Sequence, residues 1–218
     1  ISLDFSVIVE YRVVLLNGLL LTLFISIIST LFGTFFGIIL AILTQSKNIF
    51  LIIIINIYVE IFRNTPLLVQ LIWIHFALPA LTGISTNALT SGIITIVLQA
   101  SAYFTEIARA GIEAIPKGQF EASYSLGLPK KIHWKIVILP QAIKIIIPPL
   151  VNFAISLFKA TAILSILHIS ELMTVANRIS NVTFKPIELF SAVALIYCIA
   201  GFIISKLSKK VEKRFQTS

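Results

Sequence analysis

The chain alternates between long apolar stretches and short segments that hold most of its charged side chains. A helix needs about 20 apolar residues to cross a bilayer. Five stretches approach or exceed that length, and we predict spans at 13–43, 49–81, 88–109, 136–167 and 187–204. The pattern predicts an all-α integral membrane protein with about five transmembrane helices, organised as a single domain over residues 1–218.

Proline residues fall within two of the predicted spans. Proline has no backbone N–H, and it disfavours a helical conformation in the residue before it. The segment 63–66, which reads Arg-Asn-Thr-Pro, therefore predicts a break or a kink in the second span. The fourth span contains Pro140 and the pair at 148–149.

Composition supports a membrane protein and argues against a soluble one. Hydrophobic residues make up 58% of the 218 positions and charged residues 12%, whereas roughly a quarter of the residues in soluble domains are charged. A net charge of +8 would suit a nucleic-acid partner, but membrane proteins collect Lys and Arg in their cytoplasmic segments. We therefore expect no nucleic-acid partner.

The basic residues indicate how the spans are oriented. If the segments after spans one and three and the C-terminal tail are cytoplasmic, the inside set is much larger than the outside set, as the positive-inside rule predicts. The N-terminus is then outside and the C-terminus is cytoplasmic. The outside set is Arg12, Arg178 and Lys185. The inside set is Lys47, Arg109, Lys117, Lys130, Lys131, Lys135, Lys206, Lys209, Lys210, Lys213 and Arg214.

The loop between spans three and four, at about 110–136, is the most polar internal part of the chain. Pro116 can begin a short helix there, and Gly127 can end it by adopting a left-handed conformation. Phe120 and Tyr124 would lie one turn apart on one side of that helix. Composition alone favours a solvated cytoplasmic helix.

A spaced motif runs through this loop. Glu-Ala-Ser at 121–123 is followed after three residues by Gly127, and then after nine residues by Val-x-Leu-Pro at 137–140. The spacing resembles the Glu-Ala-Ala signature of ABC-importer permeases. The chain departs from that signature at Ser123, where Ala is usual, and at Val137, where Ile is usual.

Four stretches resemble the polar amino acid branch of these permeases, the histidine/glutamine type. Because they extend over spans two to four, the resemblance implies the fold of a type I-like ABC importer permease. The four stretches are 63–70, 102–122, 139–143 and 148–152.

The resemblance implies that the loop forms a cytoplasmic coupling helix, which lies in a groove of a separate ATPase subunit. Glu121 would make an ion pair or a charge-assisted hydrogen bond to the ATPase. It also implies an extracytoplasmic substrate-binding protein and a location in the bacterial plasma (inner) membrane. The expected coupling residues are Lys117, Glu121, Ala122, Ser123, Gly127, Leu128 and Pro129.

The chain on its own lacks the parts that an ATP-driven transporter needs. Five spans make too narrow a bundle to enclose a solute path, so we expect a second permease chain, identical or different. None of the nine glycines is followed by Lys, which excludes a Gly-x-x-x-x-Gly-Lys-Ser/Thr loop. His75, His133 and His168 are scattered, which argues against a metal site. We expect no catalytic residue and no cofactor here, with ATP and Mg bound by the partner ATPase.

Two polar stripes follow helical spacing within spans three and four. Polar groups in a bilayer are unfavourable and usually face a protein interior or an aqueous path. Amide and hydroxyl groups can serve the two charged ends of an amino acid, so we predict a translocation path. Hydrogen bonding between helices is the alternative for each single residue. The stripes are Gln99, Tyr103 and Glu106 on span three, and Asn152, Ser156 and Lys159 on span four.

The sequence around the second stripe bears on the charge of the substrate. Related permeases often have Glu where this chain has Phe153, so span four offers no carboxylate to a cationic side chain between 149 and 167. We therefore expect a neutral polar amino acid such as glutamine.

An ion-gradient-driven secondary transporter of small polar solutes is the alternative function. Broken helices and the charged residues Glu60, Glu106 and Lys159 within the spans would suit it. It does not explain a structured coupling loop. A membrane-integral enzyme is a more distant alternative, because no nucleophile–base pair occurs in the sequence.

Overall fold

The computed structural model of the protein describes residues 3–216. Its helices are α1 (Ser6–Glu10), α2 (Arg12–Leu43), α3 (Ile49–Asn64), α4 (Leu67–Ile72), α5 (Leu78–Thr82), α6 (Ala88–Glu113), α7 (Lys117–Ser125), α8 (Lys130–Ile132), α9 (Leu139–Ala160), α10 (Leu172–Thr183) and α11 (Pro186–Gln216). A π-helical turn joins α4 to α5, a second joins α8 to α9, and a 3₁₀ segment follows α9.

The predicted set of spans is confirmed, including the break in the second one. Four continuous helical segments in the described residues are long and apolar enough to cross a membrane: Arg12–Leu43, Ala88–Glu113, Lys130–Leu167 and Pro186–Leu207. The fifth candidate consists of Ile49–Asn64 and Leu67–Thr82, which meet at an angle of 108°. The bend falls where Thr65 is extended and Pro66 lacks an amide donor.

Both π-helical turns have a local cause in the sequence. Trp73–Ala77 ends two residues before Pro79, and His133–Ile138 ends two residues before Pro140. Each proline lacks the N–H that would donate to the carbonyl four residues earlier, so one α-helical hydrogen bond is absent there in any case. A π-helical turn therefore loses fewer hydrogen bonds at this position than it would in an uninterrupted α-helix. The first turn lies within the second half of the broken span, and the second lies near the start of the long fourth span.

Glycines allow α2 and α6 to pack closely at the centre of the bundle. A Cβ atom added at Gly33 would lie 2.5 Å from the Ala100 side chain, and one added at Gly37 would lie 2.6 Å from the Phe104 side chain. Small residues at helix crossings allow the dispersion contacts that drive association in a membrane. Around this crossing the buried core contains Ile25, Leu71, Ile96, Ala100, Phe104, Leu157 and Leu164.

The end of the bundle that carries the N-terminus has its own polar anchor. Glu171 is fully buried, and it caps α10 by accepting hydrogen bonds from the N–H groups of Met173 and Thr174. The N–H of Leu172 donates to Thr22 of α2 at 3.1 Å, which fixes α10 against the first span. The side chains of the tail residues Lys213 and Arg214, predicted to be cytoplasmic, lie outside the described residues.

Candidate functional site

The loop between α6 and α9 forms the short helix that its proline and glycine predict. Helix α7 begins directly after Pro116. It ends before Gly127, which has a φ of 65° and therefore favours a residue without a side chain. The N–H of Gly127 donates to the carbonyl of Tyr124 at 2.9 Å, which closes the last turn.

One end of α7 is held by His133, a residue that the sequence patterns did not single out. The ring is fully buried, and Nδ1 is hydrogen-bonded to the hydroxyl of Ser123. The ring of Tyr124 stacks on it with centroids 4.6 Å apart, and the Phe120 centroid lies at 5.6 Å. Ser123 is one of the two positions where the chain departs from the Glu-Ala-Ala signature, and its hydroxyl is the hydrogen-bond partner of His133. The sequence signal that could have indicated this contact is the pair Phe120 and Tyr124, one helical turn apart and close in the chain to His133.

Apolar packing holds the other side of the loop. Ile115, Ile138 and Ala142 are buried together, with Phe120 and Trp134 packed against them. This cluster joins the end of α6, the loop and the start of α9. Movement of α7 relative to either long helix would therefore break a packed contact.

The opposite face of α7 is exposed. Glu121, Ala122 and Ser125 are exposed. Tyr124, which stacks on His133 through one side of its ring, is still 57% exposed, and Leu126, directly after the helix, is 77% exposed. The side chain of Glu121 makes no hydrogen bond or ion pair to the backbone and side chains that the structure describes, although its backbone carbonyl accepts a hydrogen bond from Ser125. Of the other predicted coupling residues, Ser123 is buried in the bond to His133 and Leu128 is half-buried, while the exposed ones are Lys117, Ala122, Gly127 and Pro129.

A second group of charged side chains lies between α3 and α6. The Glu106 carboxylate lies 2.8 Å from Nη2 of Arg109 and 3.5 Å from Nη1 of Arg63. Arg109 also donates to Asn56 of α3 at 3.0 Å. The Tyr103 hydroxyl donates to the Arg63 carbonyl at 3.3 Å, and its ring centroid lies 5.6 Å from the Arg63 guanidinium carbon. We call these five residues the arginine cluster.

The arginine cluster contains two of the predicted path residues, Tyr103 and Glu106, together with three that were not assigned to it. The spacing of Glu106 and Arg109, three residues apart on a helix, indicates an ion pair. The approach of Arg63 and Asn56 depends on how α3 crosses α6, which a single helix pattern does not encode.

The other predicted path residues have no hydrogen bond or ion pair to the cluster among the described side chains. Asn152, Ser156 and Lys159 are exposed on α9, and Gln99 is half-buried on α6. Within residues 3–216, no hydrogen bond or ion pair connects the two stripes. The helices meet instead through stacked rings of Tyr103 and Phe153, 4.4 Å apart. Their role as a path remains a prediction.

Comparison with known proteins identifies the fold and the family. Residues 33–217 match the family described as binding-protein-dependent transport system inner membrane component. A putative glutamine transport system permease protein of Rickettsia felis is 41% identical over 200 residues, 92% of each chain. An arginine transport system permease protein of Bacillus subtilis is 35% identical over 217 residues, which cover 100% of this chain and 99% of that one.

Solved structures agree with the sequence relatives. A crystal structure of an amino acid ABC transporter with histidines matches with a TM-score of 0.93 and 34% identity, over 98% of this chain and 100% of that one. The methionine ABC transporter in an inward-facing conformation matches with a TM-score of 0.80 at 19% identity over 94% of this chain and 98% of that one, which shows a common fold. The chain belongs to the family of binding-protein-dependent transport system inner membrane components.

Proposed function

We propose that this chain is the permease subunit of an ATP-driven amino acid uptake system. One observation carries the proposal: α7 is fixed to the ends of two spans by buried contacts and exposes an unpaired carboxylate on its other face. The names of the relatives, which refer to glutamine and arginine transport, support an amino acid substrate. The sequence favours a neutral polar one such as glutamine.

Helix α7 is the part of the chain suited to receive a partner. Its exposed surface combines Glu121 and Lys117 with the free side of the Tyr124 ring, and Leu126 extends this surface just beyond the end of the helix. Aromatic rings are enriched at the centre of protein interfaces, and a carboxylate beside them can make a charge-assisted hydrogen bond to a partner. We assign that groove to a separate ATPase, which binds ATP and Mg, while this chain carries out no hydrolysis.

The same buried contacts explain how a motion reaches the membrane. A push on α7 is transmitted to α9 through His133 and to α6 through Ile115. Because these contacts are buried and closely packed, α7 and the ends of the two long helices would move together as one rigid body. The orientation that suits this role has α7 and the C-terminus in the cytoplasm and the N-terminus outside.

A second permease chain completes the proposed path. Asn152, Ser156 and Lys159 are exposed on α9, and polar groups facing lipid are unfavourable. Another protein surface or an aqueous path would remove that penalty. An identical or related chain facing this one would provide both, and an extracytoplasmic binding protein would deliver the amino acid.

Reconstitution tests the proposal directly. The complex is purified with its ATPase, placed in proteoliposomes with the binding protein and loaded internally with ATP and Mg. We expect uptake of radiolabelled amino acid that stops when ATP is replaced by a non-hydrolysable analogue. Uptake that continues without hydrolysis and follows an imposed ion gradient would contradict the proposal and support a secondary transporter.

A further inference from the structure

Arg63 is the least satisfied charged group of the arginine cluster. Its side chain is 32% exposed, and its one ionic contact within residues 3–216 is the 3.5 Å approach of Nη1 to Glu106. Nε is buried without a hydrogen-bond acceptor. A guanidinium has five N–H donors in a rigid plane, so most of the hydrogen-bonding capacity of Arg63 is unused.

The charges of the cluster do not balance. Arg63 and Arg109 share the single carboxylate of Glu106, which leaves the arginine cluster with one net positive charge. The nearby Glu60 is exposed, and its described partner is the amide of Asn64 rather than a guanidinium. A net charge in an apolar region is unfavourable unless an anion accompanies it.

Arg109 is held differently from Arg63. It uses both terminal nitrogens, one for Glu106 and one for Asn56. Arg63 has the longer 3.5 Å contact to Glu106, and Tyr103 contacts its guanidinium face with the ring and its backbone carbonyl with the hydroxyl. Arg109 therefore has a structural role, whereas Arg63 has N–H donors that no described group accepts.

From this asymmetry we infer that Arg63 binds the carboxylate of the transported amino acid. A carboxylate accepts two parallel N–H bonds from a guanidinium, a geometry that a lysine does not reproduce. The substrate side chain would then extend toward the half-buried or exposed polar groups of Gln99 and Asn152. The inference rests on the proposed function and adds to it a site and a substrate class.

The cluster also selects by charge. Glu106 is already shared by two guanidinium groups, so it offers no free carboxylate to a cationic substrate side chain. A second positive charge next to Arg63 and Arg109 would be repelled. We therefore expect neutral amino acids to bind more tightly than arginine.

Equilibrium binding to the whole complex tests the site without the binding protein. Radiolabelled L-glutamine is titrated onto the complex in nanodiscs, with L-glutaminamide, which lacks the carboxylate, as the competitor. We expect the amide to compete at least about tenfold more weakly than unlabelled glutamine, and Arg63→Gln to raise the Kd at least about tenfold. Arg63→Lys keeps the positive charge, and its Kd should lie between those of the wild type and Arg63→Gln. The matched control, Arg12→Gln, removes an exposed guanidinium near the N-terminus and should leave the Kd unchanged.

The results separate this inference from the proposed function. Equal competition by glutaminamide, an unchanged Kd in Arg63→Gln, or no saturable binding of glutamine, arginine or cystine to the wild-type complex would overturn the carboxylate site. If the Arg63→Gln complex does not assemble, competition between glutamine and glutaminamide on the wild-type complex still tests whether the site binds the carboxylate. ATP-driven uptake by that same preparation would leave the proposed function standing, whereas its absence for all three amino acids would contradict the proposed function.

Discussion

His133 shows how a single side chain can determine what a loop does. It is buried, it is hydrogen-bonded to Ser123 and it lies against two aromatic rings. An alanine at position 123 would offer His133 an apolar contact and no hydrogen bond. Its Nε2 has no partner within residues 3–216, which is unfavourable for a buried nitrogen. The packing around the ring therefore has to compensate for that nitrogen.

The variant His133→Ala should loosen α7 without removing any exposed group that a partner would contact. Loss of the ring and of the bond to Ser123 should destabilise the loop by about 1–3 kcal/mol. We expect fewer amino acids transported per ATP hydrolysed in proteoliposomes. Ile136→Ala, which truncates an exposed side chain three residues later, serves as the control. An unchanged transport ratio in His133→Ala would show that the buried histidine plays no part in coupling.

At the scale of elements, α7 depends on where it ends. Gly127 adopts a left-handed conformation, and no atom lies within 4 Å of where its Cβ would be. The restriction at 127 is therefore one of backbone conformation and not of space. Gly118, inside the same helix, also has open space around it but has no positive φ.

These two glycines form a matched pair for mutagenesis. Gly127→Ala should cost roughly 1–2 kcal/mol because an L-residue is strained at positive φ, and it should redirect the chain that leaves α7. Gly118→Ala, at the second residue of α7, should be neutral or favourable, by up to about 0.5–1 kcal/mol, because alanine has a higher helix propensity than glycine. Thermal stability and transport-stimulated ATP hydrolysis of the whole complex would be measured for both. Equal behaviour of the two variants would contradict a conformational role for Gly127.

Glu121 tests the exposed face of the same helix. If its carboxylate pairs with the ATPase, Glu121→Ala should weaken docking by ~2–5 kcal/mol, because a partner charge would be left buried and unpaired. The melting temperature of the isolated permease should not change, since Glu121 is exposed and its side chain has no hydrogen bond or ion pair among the described side chains. Glu10→Ala removes another exposed carboxylate at the opposite end of the bundle and is the control. Co-purification of the ATPase in normal amounts with Glu121→Ala would argue against this pairing.

Sequence reasoning located these elements where local chemistry determines them. The break at Pro66 and the end of α7 at Gly127 follow from the backbone properties of proline and glycine, and both occur as predicted. The π-helical turn before Pro140 was not anticipated, although the missing amide is its cause. The Arg63–Glu106 contact was missed because it depends on two helices meeting, which no pattern within one helix encodes.

At the scale of the whole molecule, helix α6 connects the two candidate sites, the arginine cluster and the exposed surface of α7. The arginine cluster uses Glu106 and Arg109, and α6 continues without a break from them to Glu113, just before the loop that carries α7. Helix α6 therefore gives a direct physical connection between the proposed substrate site and the proposed partner surface. The account therefore requires α7 to lie on the cytoplasmic side of the membrane and to be covered by another subunit.

Accessibility of α7 in the assembled transporter tests that requirement most directly. A Gln119→Cys variant, in a Cys198→Ala background that removes the native thiol, is exposed to a membrane-impermeant maleimide from each side in turn. The account predicts labelling from the cytoplasmic side alone, which falls when the ATPase is bound. Labelling from the outer side, or cytoplasmic labelling that the ATPase does not change, would contradict it.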